Sequence, residues 1–166
     1  MKEIILTLIA LGVGIGSTQI AQADEDLSSV ERGRYLVTIG GCNDCHTAGY
    51  AERGGQVPET EWLTGVPVGF TGPWGTSYPS NLRLVATRMG EAQFLARARS
   101  TLMPPMPWFN LVAMSDEDLG SVYRFIVSLG PAGIDAPAYV APGVLPKTPF
   151  IEFVPKESAA AKVSAN

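Results

Sequence analysis

Three stretches of this 166-residue chain space their apolar positions as a helix does, and two long stretches do not. From Ser29 the chain reads SVERGRYLVTIGG. Ser29 can cap a helix whose apolar positions Val30, Tyr35, Leu36 and Ile39 partly follow a helical period, and Gly40-Gly41 ends it. A second helix is expected from Glu91 to Ser100, with Phe94 and Leu95 inward and Arg97 and Arg99 toward solvent. Proline stops it, since MPPMPWF at 103–109 cannot be helical through its middle. The third and clearest begins at Ser115. Ser115 with Asp118 makes a capping-box-like pair, and Asp116, Glu117 and Asp118 sit where the helix dipole favours negative charge. Leu119, Val122, Tyr123, Ile126 and Leu129 make its apolar face, and Gly130-Pro131 closes it.

Residues 47–81 hold seven glycines, four prolines and two tryptophans with no sustained period. They read as an ordered loop, because Trp62, Phe70, Trp74 and Tyr78 need an apolar surface to cover. From Pro131 onward there are six prolines and no helical period, and ESAAAKVSAN at the end is expected to fray. The pattern predicts an all-α domain of about three helices with long irregular loops. Such a chain is short of core for its loop content, so something else should fill its middle.

The ends set the compartment. Lys2, the apolar run Ile4–Ile15 and the Ala21-Gln22-Ala23 site form the three parts of a secretory signal peptide. The run is shorter than the roughly 20 residues of a spanning helix. The expected division is a signal peptide at 1–23, one domain at 24–136 and a Pro-rich extension with a frayed tail at 137–166. Export to the periplasm follows, with membrane contact only through a partner or an uncleaved signal. The net charge of −4, with no Lys-rich block or recognition motif, gives no sign of nucleic-acid binding.

The only two cysteines and the only histidine lie together in GCNDCHT at 41–47. An exported chain can hold a disulfide, but so small a ring stabilises least. A thioredoxin-type thiol centre sits beside a βαβ pattern, and no alternating strands are evident. A structural zinc needs four ligands, usually in two pairs. C-x-x-C-H is the attachment signal for a c-type haem. Cys42 and Cys45 can each form a thioether to one vinyl group of the same porphyrin, and His46 is carried to the iron. Asn43 and Asp44 span the gap, with loosely constrained identities. One motif means one haem c, covalently attached, and the macrocycle supplies the missing core.

With no second histidine, methionine is the natural sixth ligand. Met89, Met103, Met106 and Met114 are the candidates, each against the alternative of plain gap-filling in the core. Met103 and Met106 lie in a Pro-rich stretch able to hold an extended strap across a flat ligand. Met106 has Pro105 and Pro107 on either side, which limit where its sulfur points. Met103 belongs to the end of the preceding helix.

In CNDCHT at 42–47, LTGVPVGFTGPWGTSYPSNL at 63–82, and PPMPWF followed by MSDEDLGSVYRFIVSLGP at 114–131, the chain resembles class I c-type cytochromes. It looks most like single-haem modules of bacterial periplasmic cytochromes, including cytochrome subunits of alcohol and gluconate-type dehydrogenases. The resemblance implies a cytochrome c-like fold whose first and last helices cross beside the haem, with Gly33 and Tyr123 as candidates for the contact. It implies Met106, before Pro107-Trp108, as iron ligand. Where relatives continue with Thr-Pro-Asp after Asn-Leu, this chain has Arg83-Leu84-Val85.

The expected function is single-electron transfer by a periplasmic mono-haem cytochrome with His46/Met106 ligation, not catalysis, with a dehydrogenase or oxidase as redox partner. The alternatives are an electron-transfer subunit held within a dehydrogenase complex, or a ligand-binding or peroxidase-like haem protein. His46 should donate its free ring N–H to a backbone carbonyl near Gly65-Val66-Pro67, or else at Pro58. Trp74, Tyr78 and Asn81 are candidates for the haem propionates, or else simply pack. Arg83, Arg88, Arg97 and Arg99 form a positive cluster that is either a solvated face or a docking surface.

Overall fold

Gly33 is where two distant parts of the chain come into close backbone contact. A β-carbon there would lie 2.0 Å from the Ser121 carbonyl oxygen and 2.8 Å from Phe125 Cβ, so only hydrogen lets the two backbones approach. The computed structural model describes residues 14–156, with side chains from Asp26 onward. The contact at Gly33 joins α1 (Gly14–Ile39) to α6 (Asp116–Ser128). On α1 the buried positions are Gly33, Leu36 and Val37, at helical spacing, while Tyr35 and Ile39 face solvent. The expected face is therefore rotated: Leu36 is inside, but Tyr35 and Ile39 are not. α1 also begins well before Ser29. Ser29 lies within it and spends its hydroxyl on Ser121 Oγ at 3.1 Å and on Arg124 Nε, which donates at 2.6 Å. Tyr123 is not the crossing partner. It tilts against Phe94 at 5.4 Å, and its hydroxyl donates to the Met89 carbonyl.

α6 follows its sequence closely. Ser115 Oγ accepts from the Asp118 N–H at 3.0 Å, satisfying one of the free donors of the first turn. Leu119, Val122, Phe125 and Ile126 are buried. At the far end Arg83, 6 % exposed, donates to the carbonyls of Leu129, Gly130 (2.5 Å) and Thr60 (2.8 Å). It thereby satisfies helix-terminal acceptors that have no partner within α6.

Between α1 and α6 run four shorter helices: α2 (Cys42–His46), α3 (Leu82–Thr87), α4 (Glu91–Ala98) and α5 (Trp108–Ala113). α2, α3 and α5 are additional to the three helices read from the sequence. The core joins Leu36, Val37, Val57, Trp62, Leu63, Ala86, Val122, Phe125 and Ile126. Trp62 stands edge-on to Tyr50 and Phe125, with ring centroids 5.8 and 6.2 Å away.

The chain is not purely helical. β1 (Gly69–Gly72) and β2 (Gly75–Ser77) form a hairpin inside the expected loop, with Phe70 opposite Ser77. β3 (Phe150–Glu152) lies parallel to β1, with Phe70 opposite Ile151, giving the order β2-β1-β3. Thr76 bridges to Val140. These strands have three or four residues, too short for alternation to register in the sequence. Residues 137–156 thus pack back on the hairpin. Phe153 meets Phe70 at 5.5 Å and Trp74 at 6.4 Å, and Tyr139 donates to the Trp74 carbonyl. The expected fraying at 157–166 and the apolar start of the expected signal lie outside the described residues. Among the described residues, no helix is long and apolar enough to cross a membrane.

Candidate cofactor site

α1 ends because Gly41 takes φ of 68°, a left-handed conformation that turns the chain into α2. One helical turn then carries the whole motif. Cys42, Cys45 and His46 are spaced i, i+3 and i+4, so they share a face. Both thiols are free and half-buried. Burial pushes the Cys42 thiol up to about 11, with Asp44 and Cys45 nearby adding to it. Burial and Asp44 also push Cys45 up. Both are neutral thiols near pH 7. A thiol redox centre needs the opposite, a depressed pKa that supplies thiolate.

His46 is buried, and burial lowers its pKa, opposed by its bond to Ser80. Nδ1 lies 2.7 Å from the Ser80 carbonyl oxygen. A carbonyl only accepts, so Nδ1 carries the proton and Nε2 keeps its lone pair. The acceptor is therefore Ser80, not the expected Gly65-Val66-Pro67 or Pro58. Gly65 faces His46 differently: its N–H donates to the His46 carbonyl at 2.8 Å.

Asn43 is not a spacer. It is 1 % exposed, and Thr47 Oγ1 donates to its Oδ1 at 2.7 Å while accepting from the Leu63 N–H at 2.7 Å. Asn43 Nδ2 is buried with no acceptor. Leu63 has φ of 60°, rare for a branched side chain, at a cost of about 1–2 kcal/mol. Full burial of its side chain, about 1.5–3 kcal/mol, offsets that. Asp44, by contrast, is exposed and fits the spacer reading.

The Met-containing strap does not run extended. Met106 N–H donates to the Met103 carbonyl at 3.2 Å, closing a turn over Pro104-Pro105. Met103 is exposed and Met106 half-buried. Ser77 Oγ donates to the Pro104 carbonyl at 2.5 Å. The short segment 77–80 thus holds the strap at one end, through Ser77, and His46 at the other, through Ser80.

The other candidates have different work. Asn81 caps α3 by accepting from Leu84 N–H, and its amide donates to the carbonyls of Ala132 and Ile134. It is buried and committed, which removes it as a propionate donor. Trp74 Nε1 donates to Phe70 and the Tyr78 hydroxyl meets Thr148 Oγ1, so these two pack. Three of the four clustered arginines are committed elsewhere: Arg83 is internal, Arg88 pairs with Asp135, and Arg99 joins Asp116 and the carbonyls ending α5, while Arg97 is exposed.

The residues fit a covalently held haem. Two neutral thiols and an imidazole with Nε2 unprotonated share one face, and they suit thioether formation and iron ligation respectively. Among the described residues, no cluster of three or more His, Cys, Asp or Glu could hold a metal ion.

No family model matches the chain, and no solved structure matches it. Curated relatives do. It is 28 % identical over 138 residues to the gluconate 2-dehydrogenase cytochrome c subunit of Pantoea cypripedii, covering 76 % of this chain and 29 % of that protein. It is 28 % identical over 138 residues to a nicotinate dehydrogenase subunit of Pseudomonas putida, covering 75 % of the chain and 10 % of the relative. It is 29 % identical over 125 residues to the alcohol dehydrogenase (quinone) cytochrome c subunit of Gluconacetobacter polyoxogenes, covering 68 % and 25 %. The chain spans under a third of the length of each of these relatives. It is thus similar, at a distance, to cytochrome c subunits of dehydrogenases.

Proposed function

We propose that this chain is a mono-haem c-type cytochrome that acts as the electron-transfer subunit of a periplasmic dehydrogenase. Cys42 and Cys45 hold the haem, and His46 and Met106 ligate its iron. The observation that carries the haem reading is the 2.7 Å contact of His46 Nδ1 with the Ser80 carbonyl oxygen, which leaves Nε2 for iron. The reading of a subunit, rather than a freely diffusing carrier, is supported by the relatives, each named as a dehydrogenase subunit.

The haem supplies one-electron Fe(III)/Fe(II) chemistry. The protein's residues bind and orient it. Cys42 and Cys45 fix it covalently, so it is not lost on redox change. Ser80 sets the plane and donor strength of the His46 ring. Met106, on a strap tied to β2 through Ser77, would give its sulfur to the iron and so keep oxygen and peroxide away from it. Neutral ligands favour the lower-charged ferrous state.

Intact-mass spectrometry of the native protein should give the chain plus one haem, and a bare mass refutes the reading. Met106→Ala should abolish the far-red sulfur-to-iron band and open the iron to carbon monoxide. Met103→Leu should do neither. Size-exclusion of a native extract should find the haem signal with a dehydrogenase activity. Elution as a small free protein restores the carrier reading.

A further inference from the structure

We propose that Asn43, Thr47 and Leu63 form a positioning relay that keeps the Ser80 carbonyl on His46 Nδ1, so that a residue lying between the two cysteines tunes the proximal imidazole. The proposal rests on the haem reading above.

The relay is a closed circuit. From His46 the chain passes to Thr47, whose hydroxyl donates to Asn43 Oδ1 and accepts from the Leu63 N–H. The Leu63 carbonyl accepts from the N–H groups of Leu82 at 2.9 Å and Arg83 at 3.4 Å. Leu82 is two residues from Ser80, whose carbonyl accepts from His46 Nδ1 at 2.7 Å. A second tie, Gly65 N–H to the His46 carbonyl, fixes the same loop to the same residue.

Leu63 is the pivot. Its N–H and C=O serve opposite sides of the circuit while its backbone holds φ of 60°. A branched residue stays in that region only where its surroundings over-determine it, and such residues gather at functional positions. Thr47 links Asn43 to Leu63 through one hydroxyl that both donates and accepts, beside a backbone bond from its own N–H to the Asn43 carbonyl at 3.1 Å. Asn43 supplies the acceptor that aims that hydroxyl, which in turn leaves its lone pair directed at Leu63.

The consequence for iron has a sign. A carbonyl accepting from Nδ1–H makes the ring a better donor and favours Fe(III). Loosening the relay lengthens that bond, so the ferrous form gains and the potential rises.

The test uses the full haem-loaded protein with Thr47→Val, which keeps shape and removes the hydroxyl, and Thr47→Ser, which restores it. In Thr47→Val the reduced-to-oxidised ratio at fixed ambient potential should rise about tenfold, a shift of about 59 mV for one electron. Exchange of the His46 Nδ1 proton with solvent, followed by NMR, should speed up. Thr47→Ser should return both toward wild type. A Thr47→Val protein that melts earlier with ratio and exchange unchanged overturns the relay, because Thr47 is then only structural. If that variant does not accumulate, Asn43→Ala carries the same test, with a rise of about threefold expected and an unchanged ratio overturning it. A wild-type protein whose mass contains no haem overturns both readings. A haem-loaded wild type with unmoved variants overturns the relay alone.

Discussion

The helical part of the molecule and its small sheet gather aromatic rings by different means. Around α1 and α6, Trp62 is enclosed by Tyr50 and Phe125, and its indole N–H donates to Val57 at 2.9 Å. Leu63, Phe125 and Ile126 beside it are almost fully buried. In the sheet, Phe153 also meets Phe70 edge-on and Trp74 at a tilt, but Ile151, Phe153 and Val154 stay exposed and the strands have only three or four residues. One part is held by close backbone approach and full burial. The other is held by a few ring contacts and ladder bonds along a surface. The same kind of change should therefore cost very different amounts in the two.

The sharpest comparison is one substitution made twice. Gly33→Ala drives a methyl into the Ser121 backbone and should cost about 3 kcal/mol, with loss of cooperative melting by circular dichroism. Gly69→Ala meets the Thr76 methyl at 2.4 Å, a side-chain atom at the sheet, and should cost about 1 kcal/mol. Equal losses would break the contrast.

Arg83→Leu should follow, at about 2 kcal/mol in denaturant unfolding, because it leaves the carbonyls of Thr60, Leu129 and Gly130 without their donor. Ending the chain after Ala136 removes β3 and Phe153 but keeps the Ala132 and Ile134 acceptors of Asn81. The loss should be only about 1–2 kcal/mol, since the ordering entropy of the segment offsets most of its burial. Helical circular dichroism should persist, and collapse of the helical signal would show that the two parts fold as one.

Arg88→Ala should have the smallest effect. Arg88 bonds both oxygens of Asp135, but both side chains are well exposed, and such pairs contribute little. Hydrogen bonding to Arg88 holds the Asp135 carboxyl below its ordinary value. What stabilisation the pair gives is present above the usual carboxylate range and lost as pH falls through the depressed value. A comparison of melting curves across that range should show a slightly weaker acid sensitivity in the variant.

Legibility differs by residue. The α6 cap at Ser115 is readable because a hydroxyl three residues before an acidic side chain acts locally, as is the helical face of Leu119, Val122 and Ile126. On α6, Phe125 is absent from the face the period predicts, and on α1, Tyr35 and Ile39 are wrongly included in it, because a period fixes a stripe but not its exact rotation. β1, β2 and β3 are invisible in the sequence, being too short to alternate, and β3 pairs with β1 across about 80 residues. At the site, spacing alone names Cys42, Cys45 and His46. It does not name Ser80, Asn43, Thr47 and Leu63, although a Thr directly after the histidine and an amide between the cysteines are the available signals.

By itself the sequence determined the local chemistry: two thiols and one imidazole on a single helical turn, a turn opened by Gly41, and the caps of α6. Covalent spacing within one turn of helix is enough to set those. Only the tertiary structure decided which carbonyl meets His46, that Arg83 closes α6 instead of facing a partner, and that the extension adds a strand to the hairpin. Each of these depends on groups 23 to about 80 residues apart, whose pairing is chosen by the burial of backbone donors and acceptors that must find partners once the core has formed.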